Sequence, residues 1–186
     1  MNLDTLIHAR VDRLPAPLYR VMAFLLTRGV DRVNRAAAQV AEMGLKPGMT
    51  VVDYGCGPGR FIPALARAVG DAGTVYAADV HELALADVRA RVRREGLSNV
   101  RTALVTDQHC DLPDRVADVV ISFDVVHMVT RRDLYYREMH RILKPDGVLL
   151  ADSGHLSPKA ARAAILESGC WEIESAAGYR FICRPR

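Results

Sequence analysis

The sequence predicts an α/β fold: a doubly wound, mostly parallel sheet of seven strands that ends in an antiparallel β-hairpin and is preceded by N-terminal helices. From about residue 43, short apolar and β-branched runs alternate with segments of helical spacing. The first run leads into a glycine-rich turn and then a helix. The last two runs flank one short turn, which is typical of a hairpin.

Five predicted strands follow one another along the chain, with helices between them. The strands fall at 49–55, 74–80, 100–106, 118–126 and 147–153. The helices fall at 60–69, 81–96 and 131–144, and they end at Gly70, at Gly96 and at the run 145–147. Ser157 and Pro158 then form an N-cap and first-turn pair for a further helix. The closing hairpin turns around residues 176–178.

Length and composition narrow the class of protein. The chain has 186 residues, half of them apolar and a quarter charged, which is ordinary for a globular protein. Residues 1–42 contain no strand and are predicted to form a helical arm or lid, while residues 43–186 form the main domain. The net charge is only +3, and the arginines are scattered among acids, so nucleic-acid binding is not expected.

The four cysteines carry no metal or redox motif. Cys56, Cys110, Cys170 and Cys183 include no pair at C-x-x-C spacing, so no metal site is predicted. The N-terminus contains acids and lacks a long apolar run, unlike a secretory signal. The cysteines are therefore interpreted as reduced thiols in a cytoplasmic protein.

The stretch VVDYGCGPGRF (51–61) identifies the candidate binding site. Glycine permits backbone angles closed to other residues, and the exposed amides of such a turn attract polar or negative ligand groups. Asp53 precedes the turn, and Asp79 ends the second strand 24 residues after Gly55. A dinucleotide fingerprint would need a glycine where Arg60 stands. A nicotinamide-dependent oxidoreductase is therefore disfavoured, but it stays open as an alternative.

Several ordered motifs resemble class I S-adenosylmethionine-dependent methyltransferases, which have a Rossmann-like fold. The glycine stretch is similar to the first motif of that family. Four further segments match its later strands and turns, and the clear resemblance spans roughly residues 43–150. These segments are VYAADV (75–80), LVTDQHCDLP (104–113), ADVVISFDVVHMV (117–129) and EMHRILKPDGVLL (138–150).

The resemblance implies a role for individual residues in binding S-adenosylmethionine, with S-adenosylhomocysteine as product. Asp53, Gly55 and Gly57 would hold the amino acid end, and Cys56 between the glycines would contribute its backbone. Asp79 would accept hydrogen bonds from both ribose hydroxyls, because a carboxylate can serve two donors at once. A helix cap is the alternative role for Asp79.

Four more residues complete the predicted cofactor site. Val80 would pack on the adenine, and Asp107 would accept from the adenine amino group, with Gln108 as a neighbouring backbone contact. A simple turn residue is the alternative for Asp107. Phe123, at the exit of the fourth strand, would lie near the methionine portion.

Methyl transfer itself asks mainly for alignment of the acceptor with the methyl group. A general base is needed only if the acceptor must lose a proton. Imidazole suits this role, and His127 and His155 are the candidates at the pocket mouth. Asp124 would either cap the next helix or face the pocket.

The acceptor is expected to be a small molecule that the sequence does not identify. The connection at 154–158 is too short for an inserted lid, so the N-terminal arm, through Tyr19 or His8, or a second subunit of a homodimer would cover the pocket. Contact of the arm with a membrane surface is a weaker interpretation. A non-catalytic S-adenosylmethionine-binding subunit remains the alternative function.

Overall fold

The computed structural model describes Pro17, Tyr19, Arg20 and residues 30–186. The described residues form one eight-stranded sheet and five α-helices. The strands are β1 Thr50–Tyr54, β2 Thr74–Asp79, β3 Val100–Thr106, β4 His109–Cys110, β5 Ala117–Ser122, β6 Leu143–Asp152, β7 Trp171–Ala177 and β8 Arg180–Pro185. The helices are α1 Val30–Ala41, α2 Ile62–Val69, α3 Glu82–Glu95, α4 Arg132–Ile142 and α5 Pro158–Glu167.

The strand order places a reversal beside β1. Across the sheet the order is β4-β3-β2-β1-β5-β6-β8-β7. Strands β3, β2, β1, β5 and β6 are parallel, whereas β4, β8 and β7 are antiparallel to their neighbours. The chain winds outward from β1 to β3 and then crosses to β5 on the other side of β1. In open α/β sheets, the crevice beyond the carboxyl ends of the strands at such a reversal binds ligands.

Helices cover both faces of the sheet, as a doubly wound fold requires. One core cluster joins strand residues such as Val51 and Ile121 to α1, α2 and α3. The other joins Val52 and Val120 to α4 and α5. Neighbouring residues of β1 and β5 thus face opposite cores, which explains why these strands are apolar on both sides.

The predicted fold class is confirmed, with differences at the ends of elements. The sheet has eight strands and not seven, because His109–Cys110 pairs with Val105 and Thr106. A strand of two residues is too short to show a periodic pattern in the sequence. Helix α4 ends at Ile142 and β6 begins at Leu143, earlier than predicted, because Leu143 already pairs with Ala117.

The end of the chain follows the prediction. Ser157 caps α5, since its side chain accepts a hydrogen bond from the Ala160 N–H at 3.2 Å. The hairpin strands are Trp171–Ala177 and Arg180–Pro185, with the turn at residues 178–179. Trp171 is fully buried and donates its indole N–H to the Tyr136 carbonyl, which ties the hairpin to α4.

Helix α1 belongs to the predicted arm, yet its described side chains join the main core. Ala36 and Val40 are buried in the same cluster as α2. Most of the arm, including His8, lies outside the described residues. Within the part of the chain that the structure describes, no helix combines the length and hydrophobicity that a bilayer crossing requires.

Candidate active site

The glycine turn links the ends of β1 and β2. The Gly55 and Cys56 N–H groups both donate to the Ala78 carbonyl, at 2.7 and 3.0 Å. Gly55 has φ +85°, and a Cβ there would stand 2.4 Å from a methyl carbon of Val125, at the exit of β5. Gly57 has φ +51° with open space beside it. The turn therefore leaves main chain exposed to a ligand at Gly57 and packs closely against the β5 exit at Gly55.

Asp53 places a buried carboxyl group directly beneath this turn. Its side chain is 3% exposed, and Oδ2 accepts no hydrogen bond within the described part of the chain. Burial raises the pKa of Asp53 to about 7, while the Arg60 guanidinium acts in the opposite direction and Asp79 adds to the rise. An uncompensated acceptor of this kind is costly unless a ligand donor reaches it.

Asp79, at the end of β2, is held by backbone donors. Its Oδ2 accepts from the Gly57 N–H and its Oδ1 from the His81 N–H, both at 2.8 Å. Burial raises the pKa of Asp79, against the lowering effect of these two hydrogen bonds. The alternative role as a helix cap does not fall to Asp79: His81 is the N-cap of α3, and its Nδ1 accepts from the Leu83 N–H. The carboxylate is therefore oriented, with acceptor capacity left over.

Asp107 and Gln108 form the turn between β3 and β4. Both have positive φ, 49° and 65°. Asp107 is exposed and Gln108 is half-buried. The structure thus shows Asp107 as a turn residue on the same edge as Asp79, and the sheet register sets Leu104 of β3 opposite Asp79.

A partly buried ion pair on α4 holds the segment that follows this turn. Glu138 accepts from the Cys110 N–H at 2.7 Å and from Arg141 at 2.7 and 2.9 Å. Arg141 also donates to the Leu112 and Cys110 carbonyls. Although burial acts to raise it, the pKa of Glu138 is lowered by the Arg141 guanidinium and the Cys110 N–H. Sequence reasoning missed this pair, because only the fold brings α4 against residues 110–112.

The remaining predicted cofactor residues lie around the same edge. Phe123 directly follows β5, and its ring meets Phe61 edge-on at 5.6 Å. Val80 follows β2 and packs against the core. Cys56 is buried, and burial raises the pKa of its thiol well above the ordinary value. Its sulfur is therefore a protonated, poorly reactive group, in keeping with the predicted backbone role.

His127 and His155 come together at the exits of β5 and β6, although 28 positions separate them. Their ring centroids are 4.3 Å apart. Asp124 lies beside both rings: its Oδ1 is 3.4 Å from His155 Nε2 and 3.9 Å from His127 Nδ1. His155 is largely exposed and His127 is mostly covered. Asp124 does not cap a helix, since Val125 is the N-cap of the short turn Val126–Met128. Its carboxylate lies beside the two imidazoles instead.

Asp152, at the end of β6, is a site residue that sequence reasoning missed. Its Oδ1 accepts from the Asp124 N–H at 2.8 Å and from the Gly154 N–H at 3.0 Å. Burial raises the pKa of Asp152, while these two hydrogen bonds act to lower it. An acid at the carboxyl end of a central parallel strand, as at Asp53 and Asp79, was the available signal.

Tyr19, one of the two arm residues that the sequence singled out, packs on the start of α3. Its ring stacks on His81 at 4.5 Å, and its hydroxyl donates to Asp87 Oδ2 at 3.1 Å. The side chain is 2% exposed. A described part of the arm therefore packs on the start of α3, two residues beyond Asp79.

The groups at this edge fit S-adenosylmethionine. The buried Asp53 oxygen lacks a donor within the described residues, and an amino acid ammonium group would supply one. The Asp79 carboxylate retains acceptor sites for hydroxyl donors. The open backbone at Gly57 admits a ligand without a clash.

Known proteins of this kind resemble the chain in sequence and in structure. A family profile described as a methyltransferase domain matches residues 45–177. The chain is 33% identical over 143 residues to a ubiquinone/menaquinone biosynthesis C-methyltransferase, UbiE, from Vibrio campbellii, covering 76% of this chain and 55% of that protein. The UbiE protein of Bordetella parapertussis is 34% identical over 143 residues, covering 76% and 54%. The alignments thus span just over half the length of these relatives.

A solved structure agrees with the sequence comparison. A SAM-dependent methyltransferase from Aquifex aeolicus superposes with a TM-score of 0.71 at 27% identity. The match covers 81% of this chain and 88% of that one. The similarity therefore extends over most of both molecules.

Proposed function

The chain belongs to the class I S-adenosylmethionine-dependent methyltransferases, and on this premise we propose that it methylates a small-molecule acceptor at the exits of β5 and β6. One observation carries the proposal. The buried Asp53 carboxyl, with an oxygen that lacks a donor within the described residues, lies beside the oriented Asp79 at the strand-order reversal. Such a pair suits a ligand that brings an ammonium group and two hydroxyls.

Each residue of the cofactor edge has a role in this proposal. Asp53, Gly55 and the backbone of Cys56 and Gly57 bind the amino acid end, while Asp79 binds the ribose hydroxyls. Val80 and Phe123 supply apolar contacts to the adenine and to the methionine portion. Asp107 and Gln108 bind the adenine edge. Bound S-adenosylmethionine supplies a sulfonium methyl group that leaves by in-line displacement, the electron pair of the carbon–sulfur bond staying on sulfur.

The acceptor class is inferred from the relatives and from the imidazole pair. UbiE proteins are named as C-methyltransferases of quinone biosynthesis. A ring carbon becomes strongly nucleophilic when a neighbouring hydroxyl loses its proton. We therefore infer an acceptor of the phenol or enol class, whose O–H proton passes to His127 or His155 and then to solvent. Asp124 Oδ1 lies 3.4 Å from His155 Nε2 and 3.9 Å from His127 Nδ1, so both imidazoles stand beside one carboxylate.

A turnover assay tests the proposal. Purified protein is incubated with S-adenosylmethionine bearing a labelled methyl group and a panel of phenols, hydroquinones and enols. The expected result is a methylated product and S-adenosylhomocysteine in equal amounts. In His127→Ala, turnover should fall roughly 100-fold, which is the usual contribution of a general base. His109→Ala, which removes an exposed imidazole beside a different carboxylate, serves as the matched control.

The alternative, a non-catalytic S-adenosylmethionine-binding subunit, predicts a different outcome. S-adenosylhomocysteine would bind, yet no member of the panel would be methylated, and His127→Ala would change nothing. Equal turnover in His127→Ala and the parent protein would contradict the role of that imidazole while leaving methyl transfer intact.

A further inference from the structure

Three potential metal ligands converge at the acceptor side of the site. Asp124, His127 and His155 each offer one ligand atom, and these atoms all lie within 4.8 Å of one another. They come from two separate loops, one after β5 and one after β6. Two imidazoles and one carboxylate form a ligand set that suits divalent transition metals and that catalytic zinc sites use.

The distances between ligand atoms are close to those around a tetrahedral ion. Zinc bonds to nitrogen and oxygen of about 2.0 to 2.2 Å place neighbouring ligand atoms about 3.3 Å apart. Here Asp124 Oδ1 lies 3.4 Å from His155 Nε2 and 3.9 Å from His127 Nδ1. The ligand atoms of the two imidazoles lie within 4.8 Å of each other, and the exposed His155 side chain can approach His127 by a change of rotamer.

Hydrogen bonds fix the backbone of the two loops that carry the three ligand residues. Asp152 Oδ1 accepts from the N–H groups of Asp124 and Gly154, so one half-buried carboxylate holds both ligand-bearing loops together. Asp124 has φ +62°, a conformation that aspartate tolerates better than most residues. A Cβ at Gly154 would stand 2.5 Å from His127 Nδ1, so the glycine allows the His127 imidazole to pack against the loop that carries His155.

We propose that Asp124, His127 and His155 bind one divalent transition-metal cation of the zinc class at the mouth of the acceptor pocket. Three protein ligands leave at least one coordination position open, which is the arrangement of catalytic and not of structural zinc sites. The largely exposed His155 lies on the solvent side of the cluster, so the ion can enter without unfolding the domain. The site itself does not depend on the identity of the acceptor.

The chemical consequence of the site rests on the proposed function. A cation with an open position can bind the hydroxyl oxygen of a phenol or enol as its anion, and the proton is released to solvent. The metal then takes over the task that the imidazoles perform without it, because a metal-bound nitrogen cannot also accept a proton. With or without the metal, the same bond to the methyl group forms and the same carbon–sulfur bond breaks.

Metal titration of the full chain tests the site directly. Protein freed of metal with a chelator is titrated with Zn²⁺ in a calorimeter and with Co²⁺ in an absorption spectrometer, without S-adenosylmethionine. The expected results are one ion per chain and visible Co²⁺ bands of a four- or five-coordinate site. No thiolate-to-metal charge-transfer band should appear, since the ligand set contains no cysteine.

Variants then assign the ion to this cluster. His155→Ala removes an exposed side chain, so it leaves the fold intact, and we expect the affinity for Zn²⁺ to fall by at least roughly tenfold. Asp124→Asn should have a similar effect. His109→Ala is the matched control, because His109 also lies beside a carboxylate, Glu138, at 3.4 Å but has no second imidazole nearby in the described structure.

Two outcomes would overturn the inference. One is the absence of stoichiometric Zn²⁺ binding, and the other is binding that His155→Ala and Asp124→Asn leave unchanged. A titration with S-adenosylhomocysteine in the presence of chelator keeps the proposed function separate. If that ligand binds while zinc does not, the metal site is wrong and the methyltransferase proposal stands.

Discussion

The two halves of the site are built in different ways. In the cofactor half, formed by Asp53, residues 55–59 and Asp79, the acids are buried and the main chain of the turn is bound to Asp79 and to β2. In the acceptor half, formed by Asp124, His127 and His155, side chains from two loops meet one another. The difference teaches that backbone hydrogen bonds orient the Asp79 carboxylate of the first half, whereas the second half depends on contacts among side chains.

The largest effect is expected from removing the central acid of the cofactor half. Asp79→Ala deletes the carboxylate that accepts from Gly57 and His81 and that we assign to the ribose. Two lost hydrogen bonds to a charged group cost about 3 kcal/mol or more, so S-adenosylhomocysteine should bind roughly 100-fold more weakly. Calorimetry measures the change.

Asp71→Ala is the matched control for Asp79→Ala, since Asp71 is an exposed acid in the turn before β2. The affinity of Asp71→Ala for S-adenosylhomocysteine should equal that of the parent protein. Unchanged affinity in Asp79→Ala would contradict the assignment of this half to the cofactor, because the cofactor would then bind elsewhere.

The next largest effect is expected at the contact between Gly55 of the cofactor half and Val125, which is next to Asp124 of the acceptor half. A Cβ at Gly55 would stand 2.4 Å from Val125, and the residue has φ +85°. Gly55→Ala should therefore lower the free energy of unfolding by about 3 kcal/mol, from left-handed strain and overpacking together. Denaturant unfolding measures it.

A second glycine separates these two causes. Gly44 has φ +67°, but a Cβ there would have nothing within 4 Å, so Gly44→Ala should cost only the backbone strain, about 1 kcal/mol. Adding Val125→Ala to Gly55→Ala should restore part of the stability. An equal loss in the two glycine variants would show that the halves do not press against each other at Gly55.

The buried acid of the cofactor half predicts a smaller, pH-dependent effect. The pKa of Asp53 is raised to about 7 in the folded chain, above its value in the unfolded chain. The folded state therefore holds the extra proton in this window, and stability falls as the pH rises. Between about pH 5 and about pH 7 the loss should be about 2 kcal/mol.

Asp53→Asn identifies the group responsible. Asp79 and Asp152 also have raised pKa values and contribute in the same direction, so the slope should decrease without disappearing. Unfolding free energies at a series of pH values test this. A slope that is identical in Asp53→Asn and the parent protein would contradict the buried, uncompensated state of Asp53.

The smallest effect should come from the acceptor half. His155→Ala removes an exposed imidazole that contacts Asp124 and His127 and none of the cofactor residues. The affinity for S-adenosylhomocysteine should change less than about twofold, because exposed groups outside a binding contact contribute little. A large loss of cofactor affinity would show that the two halves are one site.

The same contrast explains how far the sequence could predict the structure. The β1–turn–α2 unit and Asp79 were predictable because their signals are local: β-branched runs, glycines and an acid at a strand end. The grouping of His127 with His155 depends on β5 and β6 being neighbours and on Asp152 holding both loops. No local pattern reports such a contact between distant segments.

Element ends were harder to predict for a related reason. Pro145, Asp146 and Gly147 read as the stop of a helix, yet they lie inside β6, because pairing of Leu143 with Ala117 overrides the local turn signal. Cys110 is fully buried and belongs to β4, although its neighbours read as a polar loop.

A ligand titration of the wild-type chain tests the central claim most directly. S-adenosylmethionine, S-adenosylhomocysteine and NAD are each titrated into purified protein in a calorimeter. We predict that the first two bind one per chain at micromolar concentration and that NAD does not bind. Binding of NAD alone would contradict the assignment of the glycine turn and Asp79 to S-adenosylmethionine, and with it the proposed methyl transfer.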